Sequence, residues 1–106
     1  SDPHFADMLG NLRLTVDGFF SLSRVIKETA DEVCGGKIVL MPGSGYNPTV
    51  LPPCWYALVA GAVGLEEINV KDPYDPPTEP PHCRSVVENT VDKLKSLLKK
   101  NWACFR

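Results

Sequence analysis

Lys37-Ile38-Val39-Leu40-Met41-Pro42-Gly43-Ser44-Gly45-Tyr46-Asn47-Pro48 is the stretch that decides the fold class of this 106-residue chain. Its first five residues form a short, nearly continuous apolar run, the pattern of a strand buried on both faces. A strand over 37–41 that ends in a glycine-spaced loop would deliver Tyr46 to the carboxyl edge of a sheet. Open α/β sheets hold their ligands at that edge. Gly43 and Gly45 permit close approach of backbone to a ligand, and the Tyr46 phenol can donate to an oxyanion. The same tyrosine also suits simple packing over a loop, with Asn47-Pro48 as an ordinary turn.

Working outward, a helix is expected on each side. Thr15 is placed to cap the first, and Phe19, Leu22, Ile26, Ala30 and Val33 recur at helical spacing. Lys27, Glu28, Asp31 and Glu32 fill the opposite face, and Gly35-Gly36 supplies the stop. A second helix is predicted to begin near Pro53, because proline is tolerated in a first turn. Cys54 to Val63 is apolar nearly all round, so this helix should be buried, with Gly64 as its terminator. Residues 71–83 hold five prolines and should run extended over a surface. Ser85-Val86-Val87-Glu88 has the capping-box pattern. Val87, Val91, Leu94, Leu98 and Trp102 then mark one stripe of a third helix, with Lys93, Lys95, Lys99 and Lys100 solvating the rest.

Three helices and one strand do not make a self-sufficient sheet protein. A single parallel-type strand leaves its backbone donors and acceptors without neighbours. The expected fold class is therefore α/β, as the end of a larger α/β unit or as a chain that pairs with another.

Composition narrows the function classes. The chain is 43% hydrophobic and 23% charged with a formal net charge of −2, which gives no basis for nucleic-acid binding or a basic membrane surface. The apolar run from Trp55 to Leu65 is too short to span a bilayer. Cys34, Cys54, Cys83 and Cys104 are twenty or more residues apart, which excludes zinc-ribbon and CxxC redox patterns. Cys34 and Cys54 sit in apolar contexts and read as buried thiols of a reducing compartment, with the cytoplasm as the default location.

The amino-terminal segment carries the other polar cluster. Asp2 and Asp7 flank His4, and a loop carboxylate of this kind can ligate a divalent metal. The same aspartates equally suit turns, and His4 suits a solvated loop.

Asp2-Pro3-His4-Phe5-Ala6-Asp7-Met8-Leu9-Gly10-Asn11-Leu12 resembles an Asp-x4-Asp-x-Leu-Gly segment of the zinc-dependent deacetylases, a family that includes histone deacetylases, acetoin-utilisation deacetylases and acetylpolyamine amidohydrolases. Leu14-Thr15-Val16-Asp17-Gly18 is similar to the family's helix entry. Gly43-Ser44-Gly45-Tyr46-Asn47 is similar to its glycine-rich tyrosine loop, and Cys54-Trp55 falls where the family has Arg-Cys-Trp. Order and spacing agree over roughly residues 1–65. Pro42 or Ser44 stands where the family usually has glycine, and Pro53 where it usually has arginine.

The resemblance implies an arginase/deacetylase-like α/β fold with a mainly parallel sheet, of which this chain would be the carboxyl-terminal piece, and hydrolysis of acetyl amides on lysine, a polyamine or a small metabolite. It implies Asp2 as a zinc ligand, Tyr46 as the donor to the acetyl carbonyl, and Leu9 as a wall of the tunnel for the acyl-bearing stem. Gly43, Ser44 and Gly45 would border the acetyl group. Zinc polarises an amide carbonyl and activates water, and a phenol completes a two-point clamp on the oxyanion.

The family's histidine pair and its Asp-x-His ligands have no counterpart in this chain. The expectation is thus a carboxyl-terminal fragment, inactive in isolation, whose partners are the missing amino-terminal part of the domain and an acetylated substrate. The alternative is a non-catalytic interaction piece, dimerising through the 54–65 helix, or a degenerate deacetylase-like scaffold.

Overall fold

Thr15 opens the first helix as its sequence position predicts: its hydroxyl accepts from the Gly18 N–H at 3.0 Å. In the computed structural model, which describes residues 1–10 and 12–105, α1 runs Val16–Cys34. Asn11, within the segment quoted above, lies outside the described residues. Gly35 ends α1 in the left-handed region at φ 62°, and the Gly35 and Gly36 N–H groups both reach the Ala30 carbonyl.

α2 runs Leu51–Ala62, with Pro52 and Pro53 in its first turn, where their missing N–H groups cost nothing. Asn47 builds the entry. Its carbonyl accepts from Val50 and Leu51, and its side-chain oxygen accepts from the Thr49 N–H at 3.0 Å. Gly64 follows the end of α2 at φ 82°.

The core lies between α1 and α2. Val16, Phe19, Phe20 and Ala30 of α1 are buried with Val50, Cys54, Ala57 and Ala60. Buried Ser23 donates its hydroxyl to the Leu58 carbonyl at 2.6 Å, so it bridges the two helices without an orphaned polar group. Gly61 is the point of closest approach. A Cβ built there would stand 2.7 Å from the Phe20 carbonyl oxygen and 2.8 Å from the Ser23 Cβ.

The face of α1 differs from the sequence expectation. Phe19 and Ala30 point inward as predicted, but Leu22, Ile26 and Val33 are exposed. The buried positions run Val16, Phe19, Phe20 and Ser23, a face rotated toward small Ser23 because a glycine-bearing helix packs there. The second helix is likewise only half buried. Cys54, Ala57, Ala60 and Gly61 face α1, while Tyr56, Val59 and Val63 remain exposed.

The α/β reading is overturned. Among the described residues there are three helices and no strand, and the sole β-type pairing is an isolated parallel bridge between His4 and Leu14. Lys37–Met41 runs as irregular chain, with Val39 87% and Met41 89% exposed. The physical reason is the one that made a single strand suspect. Among the described residues no second strand pairs with its N–H and C=O groups, and β-branched side chains alone do not hold a strand.

α3 runs Cys83–Leu98 and a 3-10 turn, Ala103–Phe105, follows it. Its start differs from the predicted capping box. His82 is the cap without a side-chain bond, and Ser85 turns back to donate to the His82 carbonyl at 2.9 Å. Of the predicted apolar stripe, Val87, Val91, Leu94 and Leu98 fall within α3 and Trp102 lies beyond its end; no residue of this helix is buried. Residues 71–80 are without regular structure, as their prolines require. All four cysteine thiols are free, and Cys34, predicted to be buried, is exposed. No helix among the described residues is long and apolar enough to cross a membrane.

Candidate functional site

The amino-terminal loop is folded by its own backbone before any side chain is considered. His4 N–H donates to the Ser1 carbonyl and Asp7 N–H to the His4 carbonyl, each at 3.0 Å. The bridge to Leu14 fixes its far edge, with Leu14 N–H on the Pro3 carbonyl at 2.9 Å and Phe5 N–H on the Leu14 carbonyl at 3.0 Å. Gly10 closes the loop by contact. A Cβ there would fall 1.8 Å from the Asp2 carbonyl oxygen, so only glycine fits.

Asp7 joins this loop to the glycine-tyrosine loop. It is 2% exposed and accepts the Tyr46 N–H at 2.7 Å on one carboxylate oxygen. Its other oxygen takes the Leu9 N–H at 3.1 Å and the Gly10 N–H at 3.4 Å. The Tyr46 N–H, more than any other group, holds the Asp7 carboxyl below its ordinary pKa; burial opposes this and the Leu9 and Gly10 N–H groups add to it. Asn47 adds a second tie, its side-chain amide donating to the Ala6 carbonyl at 2.9 Å.

Asp2 lies at the other side of the same junction. One carboxylate oxygen accepts from the Ser44 hydroxyl. The other, Oδ1, is buried without a hydrogen-bond partner among the described residues. An orphaned buried carboxylate oxygen is the feature a metal ligand shows when its cation is absent, so Asp2 fits one position of a metal site. It does not complete one. No group of three His, Cys, Asp or Glu side chains comes together among the described residues.

Tyr46 and Leu9, far apart in sequence, line one cleft of about 580 Å³ with Met8, Pro48 and Tyr74. Tyr46 is 66% and Leu9 68% exposed, as residues facing an open cleft must be. Ser44 contacts Asp2 rather than the cleft, and Gly45, at φ 143°, packs against Ser1. A Cβ at Gly43 would meet the Met41 carbonyl oxygen at an ordinary 3.9 Å. The structure thus brings Asp2 to Ser44, and Leu9 to Tyr46, through Asp7.

His4 is not the solvated loop histidine that its neighbourhood suggested. It is fully buried, and its Nδ1 accepts the Ala6 N–H at 3.0 Å. The ring proton of the neutral form therefore sits on Nε2 and donates to Asp72 Oδ1 at 2.6 Å. Asp72 also accepts the Val16 N–H on both oxygens, at 3.1 and 3.2 Å, where a carboxylate complements the amino end of α1. Sequence reasoning missed both Asp72 and the junction role of Asp7. Asp7 had a local signal, since an aspartate three residues before a glycine suits a side-chain-closed turn. Asp72 had none, because its partners are 68 and 56 residues away.

Comparison with known proteins gives the geometry a family. The histone deacetylase domain matches residues 1–62. Histone deacetylase 14, chloroplastic, of Arabidopsis thaliana is 46% identical over 46 residues, which cover 43% of this chain and 11% of that protein. A probable deacetylase of Archaeoglobus fulgidus is 24% identical over 111 residues, 99% of this chain and 31% of that protein. The acetoin utilization protein AcuC of Staphylococcus xylosus is 28% identical over 64 residues, 59% of this chain and 17% of its own length. The chain thus spans between 11% and 31% of the length of these relatives. No solved structure matches it. With more than half its length matched by the domain, the chain belongs to the histone deacetylase family.

Proposed function

We propose that residues 1–62 supply one side of a deacetylase site that hydrolyses an acetyl amide. The observation that carries this reading is the junction of the two loops. Asp7 binds the Tyr46 N–H while Tyr46 and Leu9 face one apolar cleft. An acyl-bearing stem laid along Leu9 would bring its carbonyl toward the Tyr46 hydroxyl. That hydroxyl donates to the oxygen as negative charge develops on it, a contact stronger in the transition state than in the substrate. The resemblance would put Gly43, Ser44 and Gly45 at the acetyl end; in this chain Ser44 bonds Asp2 and Gly45 packs against Ser1, outside the cleft lining.

Asp2 is the proposed metal ligand, on the strength of its orphaned Oδ1. Zinc, when bound, supplies a Lewis acid and a water of lowered pKa. A catalytic zinc needs about three protein ligands, so the remaining ligands and the proton-transfer groups come from outside residues 1–106. The chain alone is then without activity. Asp7, the other carboxylate of the loop, has both oxygens taken by the Tyr46, Leu9 and Gly10 N–H groups and holds the junction instead.

The test is made in the domain assembled with its remaining part. Tyr46→Phe should lower kcat by about 10²–10³-fold with zinc content unchanged. An unaltered kcat would remove Tyr46 from the reaction. Zinc content of Asp2→Asn against Asp7→Asn decides the ligand. Deacetylation by residues 1–106 alone, at rates comparable with the assembled domain, would overturn the incomplete-site reading.

A second reading, a non-catalytic interaction piece, draws on α3, whose apolar side touches neither α1 nor α2. Sedimentation as a monomer across the micromolar range would count against it.

A further inference from the structure

The proline-rich segment also reaches the cleft. Tyr74 lines it beside Leu9 and Tyr46, although it lies outside the part of the chain matched by the deacetylase domain. Its position is fixed from two residues away. Asp72 is tied to His4 Nε2 and to the Val16 N–H, so the segment is pinned to the site loop and to the start of α1 at one carboxylate. Pro73 stands between the pinned residue and the ring, and its fixed φ removes one of the few rotations by which the ring could swing away.

The chemistry of the cleft selects its occupant. None of the side chains lining it is charged. Asn47, the one amide, spends its nitrogen on the Ala6 carbonyl and its oxygen on the Thr49 N–H. The hydrogen-bonding side chains of the lining are all neutral: the Asn47 amide and the two phenols. An anion would find no cation, and an ammonium group no carboxylate, within that lining. An uncharged methylene chain would instead cover apolar surface of Leu9 and both rings while a neutral amide met a phenol.

We propose that Tyr74 is a substrate-contacting wall of this site, set by the Asp72 latch, and that its ring grips the uncharged alkyl stem carrying the acetyl group. This inference rests on the deacetylase reading above. It makes the proline-rich segment a determinant of stem recognition, while Tyr46 acts on the carbonyl.

The experiment is titration of the full chain with N-butylacetamide, followed by NMR of the side-chain signals of Leu9, Tyr46 and Tyr74. Saturable shifts at all three are expected. Tyr74→Ala should weaken binding roughly four- to fifteenfold, the loss of cover for one or two methylenes, and Tyr74→Phe should leave it unchanged. Butyrate and butylammonium, charged at the end that enters, should shift none of the three. Two acetylated carriers, an Nε-acetyl-lysine methylamide and an N-acetyl diamine, distinguish the source of the stem. Tighter binding of either one names it, and equal binding supports recognition of the stem alone. Wild-type affinity in Tyr74→Ala, with Leu9→Ala weakened, overturns the Tyr74 assignment and leaves the deacetylase reading standing. No shift at Leu9 or Tyr46 in the wild type overturns both. If Tyr74→Ala does not fold, contacts from the probe to the Tyr74 ring of the wild type decide, and their absence rejects the assignment.

Discussion

The Nε2–H of His4 donates to Asp72 Oδ1 at 2.6 Å, joining two segments 68 residues apart. The same carboxylate accepts the first N–H of α1. One side chain therefore fixes the site loop, the helix start and the proline-rich segment together, and each depends on the others for its place.

Removing that carboxylate should be costly. Asp72→Ala leaves a fully buried imidazole N–H and the Val16 N–H without acceptors, at about 1–3 kcal/mol for each group left unsatisfied. Asp72→Asn keeps one acceptor oxygen and should lose less. Urea unfolding of the three proteins measures the order, and equal midpoints for all three would show that the latch contributes nothing.

The helix crossing is set by the absence of a side chain at Gly61. An alanine Cβ there meets the Phe20 carbonyl oxygen at 2.7 Å, and backbone cannot give way as a flexible side chain can. Gly61→Ala should destabilise by about 1–3 kcal/mol through overpacking. Gly35→Ala meets no steric contact, and its smaller cost comes only from the left-handed φ of 62°. Thermal unfolding of the pair separates crowding from backbone strain.

The thiols divide by burial. Desolvation pushes the buried Cys54 thiol up to about 11. The unfolded chain ionises this thiol more readily than the folded one. Its contribution to stability is thus complete below the ordinary value of 9.0 and is lost as pH rises through about 11. Cys54→Ala should flatten the loss of stability over that alkaline window. At about pH 8, iodoacetamide should modify exposed Cys34 and Cys104 and spare Cys54 until the chain unfolds.

α3 should be separable from the core. Leu94 is 51% exposed and its helix contacts neither α1 nor α2. Leu94→Lys should change the stability of the α1–α2 unit by no more than about 0.5 kcal/mol. A larger loss, read from hydrogen exchange of Phe19 and Phe20 amides, would show that this side of α3 is covered in solution.

Sequence alone determined what depends on neighbours along the chain. Thr15 and Gly35 bounded α1, prolines set the start of α2 and kept 71–80 irregular, and the glycine-tyrosine loop pointed to Tyr46. These features rest on local dihedral preferences and on spacing, which a linear pattern records. Tertiary structure decided the rest. It denied Lys37–Met41 a strand, because a strand exists only when another segment takes its hydrogen bonds. It rotated the buried face of α1 onto Ser23, because the helix packed there carries Gly61. It also buried His4 against Asp72 and set Tyr74 beside Leu9 and Tyr46. A hydrogen bond across 68 residues leaves no period or motif in the sequence, since either residue alone reads as an ordinary turn.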